Sequence, residues 1–458
     1  MRQINRMFAI LILFFSVAVS AEGNWRYSGS FLLPSTSIGG LELGTNLRII
    51  TVLSGNAILH KVALAYTEAD TNFPIVQKRI RIKRLEGYNG DGFFPFFGDS
   101  WVSMGSPGLT NRGFSFSGYA FDYYDYEYKI GGTSLTSPIL GCYSSFPCSD
   151  SDYVPVGDSN LVIPQIAPTS HYPASKSSTD LISDYANEYF AYPDQTQGGK
   201  VTVVKRKHYT TLTQGVWEVV GQPGFSAPGT VAHVRLAFRN GHPLRIVVGM
   251  ENGLLSSYEV FRLQPIVIPG QPAFSFWVKE GNTIPAQHAL TTLSSSDPNS
   301  KYYVHPDLEI NGAGVPFLLT SRKTTAAEGG KFQSTVRTLN GGQWVPLGNE
   351  FLGNSPSMDH VCTDMTFNTF NDRLYVGCIE FYNLKPVVKT YLPVLGSWSN
   401  AGNVLDETGY NACVPLGPPP DSSITHDRAT NALFFAFSGC GNGSGNDPRV
   451  VVVSKDLD

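Results

Sequence analysis

Carboxylates set among stackable rings, or beside imidazoles, are the raw material of sugar sites and acid–base pairs. Two stretches of this chain offer them. Phe121-Asp122-Tyr123-Tyr124-Asp125-Tyr126-Glu127-Tyr128 interleaves acids with aromatic rings. Asp122, Tyr123, Tyr124, Asp125 and Tyr126 are its candidate ligand-binding residues, of the types a sugar or a cation site needs. The same stretch also reads as an exposed hairpin, since Tyr is a good strand former. The second set is Asp359, His360, Asp364, His426 and Asp427, in the last two full repeat units. Cleavage of a glycosidic bond needs two carboxyl groups at a defined separation, which sequence spacing does not supply. Asp and His also recur in turns for backbone reasons alone. Phe93-Phe94-Pro95-Phe96-Phe97 is an apolar candidate, readable as a binding patch or as a plug at a sheet edge. No Gly-x-Ser-x-Gly, His-Glu-x-x-His or phosphate loop is present in the sequence. No catalytic residue is assigned from these patterns.

The elements that must position such residues are strands. The chain of 458 residues has 15% charged residues, 46 Gly and 30 Pro. That is fewer charges and more turn formers than average domains carry, as a chain of many short strands requires. A net charge of −4 leaves no nucleic-acid footprint. The one dense basic run, Lys78 to Arg84, alternates with Ile and reads as a strand with one wet face. Arg2 and Arg6, the apolar run Met7 to Val19 and the small residues Val19-Ser20-Ala21 read as a secretory signal. Residues 1–21 are expected to be removed, leaving residues 22–458 as a single exported domain with no membrane span.

Six cysteines in an exported chain point to disulfides. Proximity favours Cys142 with Cys148, Cys362 with Cys378 and Cys413 with Cys440, although six cysteines leave 15 connectivities open. Cys362 and Cys378 flank the Asn371-Asp372 turn as partners across a hairpin would. Closing that loop contributes roughly 3 kcal/mol in the chain-entropy model. There is no Cys-x2-Cys and no His pair at i, i+4, so no metal site is expected. No cofactor is expected either; a structural calcium is compatible with the sequence.

Trp217-Glu218-Val219-Val220-Gly221-Gln222-Pro223-Gly224-Phe225-Ser226 has a near-copy in Trp101-Val102-Ser103-Met104-Gly105-Ser106-Pro107-Gly108-Leu109-Thr110. Weaker copies begin at Trp25, Tyr153, Trp277, Trp344 and Trp398, giving seven anchors. Between anchors the chain reads as apolar strands separated by Asn, Asp, Gly and Pro turns, and the anchor starts a fourth strand. Four antiparallel strands per unit of about 60 residues describe a propeller blade. The Trp is expected between neighbouring sheets with its N–H on a carbonyl, and the Gly at a close backbone approach. Val450-Val451-Val452-Val453 lacks a following anchor and Trp25 lacks preceding strands, so the two ends are expected to share one blade.

The Trp-x-x-Val-Gly-x-Pro-Gly-Phe-Ser anchor and the strands after it resemble the tandem repeats of secreted β-propeller proteins, of the kelch, Asp-box and lectin kinds. The expected fold is thus all-β, a propeller of seven blades, six or eight being the alternatives. The chain lacks the Asp-box and kelch signatures, so the resemblance carries architecture and no functional residue. The expected function is an exported, non-catalytic propeller that binds a glycan or protein partner outside the cytoplasm. The alternative is a propeller-fold carbohydrate-active enzyme, a glycoside hydrolase or lyase.

Overall fold

Runs rich in β-branched and aromatic residues, such as Val201-Thr202-Val203-Val204 and Leu433-Phe434-Phe435, form strands because these side chains pack well on a pleated surface. The computed structural model describes residues 25–32, 48–53, 60–70, 77–86, 100–103, 120–124, 127–131, 139–143, 154–157, 179–184, 186–207, 211–228, 230–252, 255–269, 274–286, 306–323, 332–348, 360–380, 384–404, 411–412, 422–428, 430–440 and 448–457. Among them the strands form seven separate antiparallel sheets.

Sheet one is Arg48–Leu53, His60–Asp70, Gln77–Glu86 and Ser100–Ser103. Sheet two is Ala120–Tyr124, Glu127–Gly131, Ile139–Tyr143 and Val154–Pro155. Sheet three is Asp180–Ser183, Asn187–Asp194, Lys200–Lys207 and Glu218–Val219. Sheet four is Thr230–Ala237, Arg245–Asn252, Leu255–Ile266 and Phe274–Lys279, with Ile284–Ala286 also beside its third strand. Sheet five is Asp307–Ile310, Pro316–Lys323, Phe332–Asn340 and Gln343–Pro346. Sheet six is His360–Phe367, Leu374–Glu380, Lys385–Leu392 and Ser397–Asn400. The first strand of each sheet lies beside the first strand of the next, and that of the last beside that of the first. These first strands therefore surround a common axis.

The nearest approach to helical spacing, Thr179 to Tyr192, is a hairpin. Its turn is fixed by the Asp184 carboxylate, which accepts from the backbone N–H groups of Ala186 at 2.7 Å and Asn187 at 2.6 Å. A local side-chain acceptor of this kind outcompetes a helical turn.

Sheet seven joins the two parts of the chain farthest apart in sequence. It contains Ser422–Asp427, Ala432–Cys440 and Pro448–Asp456, with Asn411–Ala412 beside the second of these. Its last strand is Arg26–Leu32, paired so that Tyr27 faces Val453 and Phe31 faces Val450. Val450 to Val453 are all fully buried. Val451 and Val453 pack with Trp25, Tyr375 and Val388 towards sheet six. Val450 and Val452 pack with Ile49, Val62 and Leu64 towards sheet one. Apolar residues thus occupy both faces because both faces are covered.

The anchors hold neighbouring sheets together. Each Trp donates its indole N–H to the carbonyl three residues past the anchor of the preceding sheet. The pairs are Trp25 with Ala401 at 2.7 Å, Trp101 with Ser28 at 2.9 Å, and Trp217 with Val156 at 2.9 Å. Trp277 pairs with Val220 at 2.8 Å, Trp344 with Glu280 at 2.8 Å, and Trp398 with Leu347 at 2.9 Å. The residue after the acceptor is the anchor Gly. Gly157, Gly221, Gly281 and Gly402 have φ of 92°, 73°, 80° and 89°, and a Cβ there would lie 2.5–3.0 Å from the next Trp ring. Only Gly combines that backbone with that proximity at low cost. Trp217 is 5% exposed, so Trp217→Ala would leave a cavity between sheets two and three. We expect the variant to lose about 3–5 kcal/mol of stability in urea unfolding. A variant that melts like wild type would show that the anchor is not a structural clasp.

Cys362 and Cys378 face each other across the first two strands of sheet six and are disulfide-bonded. Cys148 and Cys413, needed for the other two expected pairs, lie outside the described residues, as do residues 1–21. No helix among the described residues is long and apolar enough to cross a membrane.

Candidate functional site

The first strands share a local pattern, a polar residue followed by an aliphatic one. It occurs as Arg48-Ile49, Asp180-Leu181, Arg235-Leu236, Asp307-Leu308, Asp364-Met365 and Ser423-Ile424. In each case the polar residue faces the same register of the second strand: Ala65, Ala191, Val247, Leu319, Gly377 and Ala436. The six polar side chains therefore meet at one level along the axis.

Three of the carboxylates bind the backbone of the following sheet. Asp180 Oδ2 accepts from Leu236 N at 2.7 Å, Asp307 Oδ2 from Met365 N at 2.8 Å, and Asp364 Oδ2 from Ile424 N at 3.2 Å. Asp364 also accepts from the Ser423 hydroxyl, whose oxygen takes Ile49 N at 3.1 Å. Arg235 stands among the three acids. Its Nε donates to Asp307 Oδ1 at 2.7 Å, while its Nη1 lies 3.7 Å from Asp180 Oδ1 and its Nη2 3.5 Å from Asp364 Oδ1. Arg48 also pairs with Asp180. Burial pushes the Arg235 guanidinium down, but Asp307, Asp364 and Glu309 outweigh it and hold the group above its ordinary value. The acids are nearly inaccessible, whereas the Arg235 side chain is 19% exposed, so solvent reaches the centre of the set.

Glu309 follows Asp307 by two residues and so lies on the same face of its strand. It is half-buried, and among the described residues nothing hydrogen-bonds its carboxyl. Burial, then the charge of Asp307, push its pKa up to about 8, against the opposing pull of Arg235. A carboxyl shifted this far favours its protonated form at neutral pH. A carboxylic acid with a raised pKa is suited to giving a proton near neutral pH. Among the described residues no cluster of His, Cys, Asp and Glu could hold a metal ion. Arg235 occupies the space between the acids.

Of the residues singled out in the sequence, Asp364 belongs to the axial set. The others that are described do not. The Asp427 carboxylate accepts from the Thr430 hydroxyl at 2.7 Å and shapes the turn of sheet seven. His360 is buried with its Nε2 3.5 Å from Glu380. His426 lies between Asn431, 3.1 Å from its Nε2, and Thr369 N, 3.4 Å from its Nδ1. Asp359 and Phe93 to Phe97 lie outside the described residues. Asp122, Tyr123 and Tyr124 are on the first strand of sheet two, which borders the axis between Arg48–Leu53 and Asp180–Ser183. Asp125 and Tyr126, between Tyr124 and Glu127, lie outside the described residues. Sequence reading missed Arg48, Asp180, Arg235, Asp307 and Glu309. Aligning the repeats on the first strand, instead of on the anchor, would have exposed the shared polar-aliphatic pair.

Burial holds the His426 pKa below its ordinary value, against Asn431 and Asp427. A base depressed in the folded state contributes stability that is full above its unfolded value of about 6.5 and is lost as the pH falls through the folded value. His426→Gln is therefore expected to flatten the fall in melting temperature below about pH 6.5. An unchanged acid slope would place that titration elsewhere.

No family model matches the chain, and no curated protein matches its sequence. Solved structures do share its fold. The polysaccharide lyase Uly1 aligns with a TM-score of 0.51 at 9% identity, covering 94% of this chain and 93% of the lyase. The α-L-arabinanase of Penicillium chrysogenum aligns with a TM-score of 0.41 at 12% identity, over 94% of this chain and 98% of its own. The α-L-arabinofuranosidase of Fusarium graminearum aligns with a TM-score of 0.42 at 9% identity, over 94% and 98%. At such identities the likeness concerns fold. It corrects the expectation of a non-catalytic binding module. That expectation rested on the lack of a catalytic signature in the sequence, yet the lyase fold matches over nearly the whole chain and the axis gathers four carboxyl groups from three sheets.

Proposed function

We propose that the chain is an exported, carbohydrate-active enzyme that cleaves glycosidic bonds, built as a seven-bladed β-propeller whose N-terminal strand completes the last blade. The closed succession of first strands and the pairing of Arg26–Leu32 with Pro448–Asp456 support the architecture. The Trp anchors, each clasping the preceding sheet, support a place among secreted propeller repeat proteins.

One observation carries the function: the carboxyl groups of Asp180, Asp307, Glu309 and Asp364 gather around Arg235 at a level of the axis that solvent reaches, and burial pushes Glu309 up to about 8. A departing sugar oxygen needs a proton, and a carboxylic acid with a raised pKa supplies it. Arg235 holds Asp180, Asp307 and Asp364 in place. Of these, Asp364 Oδ1 is bound only through the 3.5 Å contact to Arg235, which leaves it the least engaged carboxylate oxygen of the three and the candidate base. The strand Ala120–Tyr124 borders the same axis. The test is release of shorter chains from polysaccharides by the purified protein, compared with Glu309→Gln. Cleavage lost in the variant supports the reading; no cleavage of any polymer by wild type overturns it.

A further inference from the structure

The charge at the axis bears on which carbohydrate fits. Cleavage of a polysaccharide by β-elimination acts on a uronate unit. A base removes the proton α to the sugar carboxylate, and a cation must neutralise that carboxylate for the proton to become acidic. Among the described residues the axis shows the opposite arrangement. Every nitrogen of the Arg235 guanidinium faces an aspartate, and Arg48 is paired with Asp180. Arg239, the next guanidinium along, is bound to Asp372 at 3.0 Å and to the Ile310 carbonyl at 3.3 Å. Two guanidinium groups, Arg48 and Arg235, meet the carboxyl groups of Asp180, Asp307 and Asp364, with Glu309 on the same face as Asp307. Acids thus outnumber the cations that face them. A uronate brought there meets like charge, which costs more in a partly desolvated site than in water.

From this we infer that the substrate is an uncharged glycan and that the bond is cut by water, a conclusion that rests on the axial site proposed above. The Glu309 proton passes to the leaving glycosidic oxygen as the bond from that oxygen to the anomeric carbon breaks. A water molecule adds to the anomeric carbon and gives its proton to Asp364. Return of one proton to Glu309 and release of the other from Asp364 restore the enzyme, with no oxidant or reductant involved. Reducing ends appear and no double bond forms.

The experiment incubates the full protein with neutral polymers (arabinan, galactan, xylan, mannan and β-glucan) and, separately, with polygalacturonate, alginate and a glucuronan. New reducing ends and the ultraviolet absorbance of unsaturated uronate are both followed, with Glu309→Gln as the control for the axial site. Its fold is checked by melting, and Glu309→Asp is used if the first variant is misfolded. Reducing ends from at least one neutral polymer, with no unsaturated product from any uronate, are expected. Unsaturated uronate ends lost in the Glu309 variant would overturn the neutral, hydrolytic assignment while leaving the axial enzyme intact. Uronate polymers cut without unsaturated ends would overturn the uncharged substrate alone. Activity on neither class would overturn the enzyme reading itself.

Discussion

Removing residues 448–458 is expected to unfold the whole ring, not only its last sheet. The strand Pro448–Asp456 lies between Ala432–Cys440 and Arg26–Leu32, so its loss strands both neighbours. Each of the four fully buried valines contributes about 1.5–3 kcal/mol of burial. Their sum rivals the entire stability of a typical domain, about 5–15 kcal/mol. The two faces also feed different sheets: Val451 and Val453 support sheet six, and Val450 and Val452 support sheet one. Loss of the strand therefore opens two inter-sheet cores and frees Trp25, whose N–H is held by Ala401. Circular dichroism during urea unfolding measures the effect. A linear stack of sheets would lose only its last unit and keep a cooperative transition for the rest. That outcome would contradict ring closure and the seven-bladed reading. Val451→Ala offers a milder version, with a loss of about 1–3 kcal/mol expected.

Glu309→Gln is expected to lower kcat by about 10²–10⁴-fold with a small change in KM, because the lost proton acts in bond breaking and not in sugar binding. The wild-type rate should fall as the pH rises through about 8, where Glu309 gives up its proton. The same group leaves a mark on stability. An acid whose folded pKa is raised binds more protons folded than unfolded between its unfolded value and its folded one. Its contribution is full below an unfolded value of about 4.5, and it is lost as the pH rises through about 8. Glutamine carries no such charge, so the variant should melt no lower than wild type at alkaline pH. A variant with wild-type kcat would remove Glu309 from the chemistry. A variant that is inactive and also unfolded at all pH values would show a structural role instead.

The protonation of Glu309 and the acid-side titration of His426 act in opposite directions. Stability falls below about pH 6.5 through the imidazole and towards pH 8 through the carboxyl. The carboxyl also explains why the candidate acid was invisible beforehand. Asp307-Leu308-Glu309-Ile310 reads as an ordinary alternating strand. The largest cause of the shift is burial, which only the packed structure creates; Asp307 on the same strand and Asp364 from another sheet add to it.

What the sequence determined by itself was everything set by short-range geometry. Strand alternation, turn residues and the spacing of Trp from Gly are fixed within one repeat. Those rules place seven anchors, and in six of them an indole N–H does meet a carbonyl of the preceding sheet. The unbroken apolar run Val450 to Val453 required cover on both faces, and the strand Arg26–Leu32 pairs beside it. The Cys362–Cys378 bond followed from hairpin symmetry about one turn. The tertiary structure alone decided which polar residues meet. Arg48, Asp180, Arg235, Asp307 and Asp364 lie on strands of five different sheets and acquire meaning only when those strands share an axis. Asp427 and His426 look equally chemical in the sequence, yet they settle into turns, because a side chain at a strand end finds backbone and turn partners before it finds the axis. Charge convergence is a long-range property, and pairing rules confined to one repeat carry no information about it.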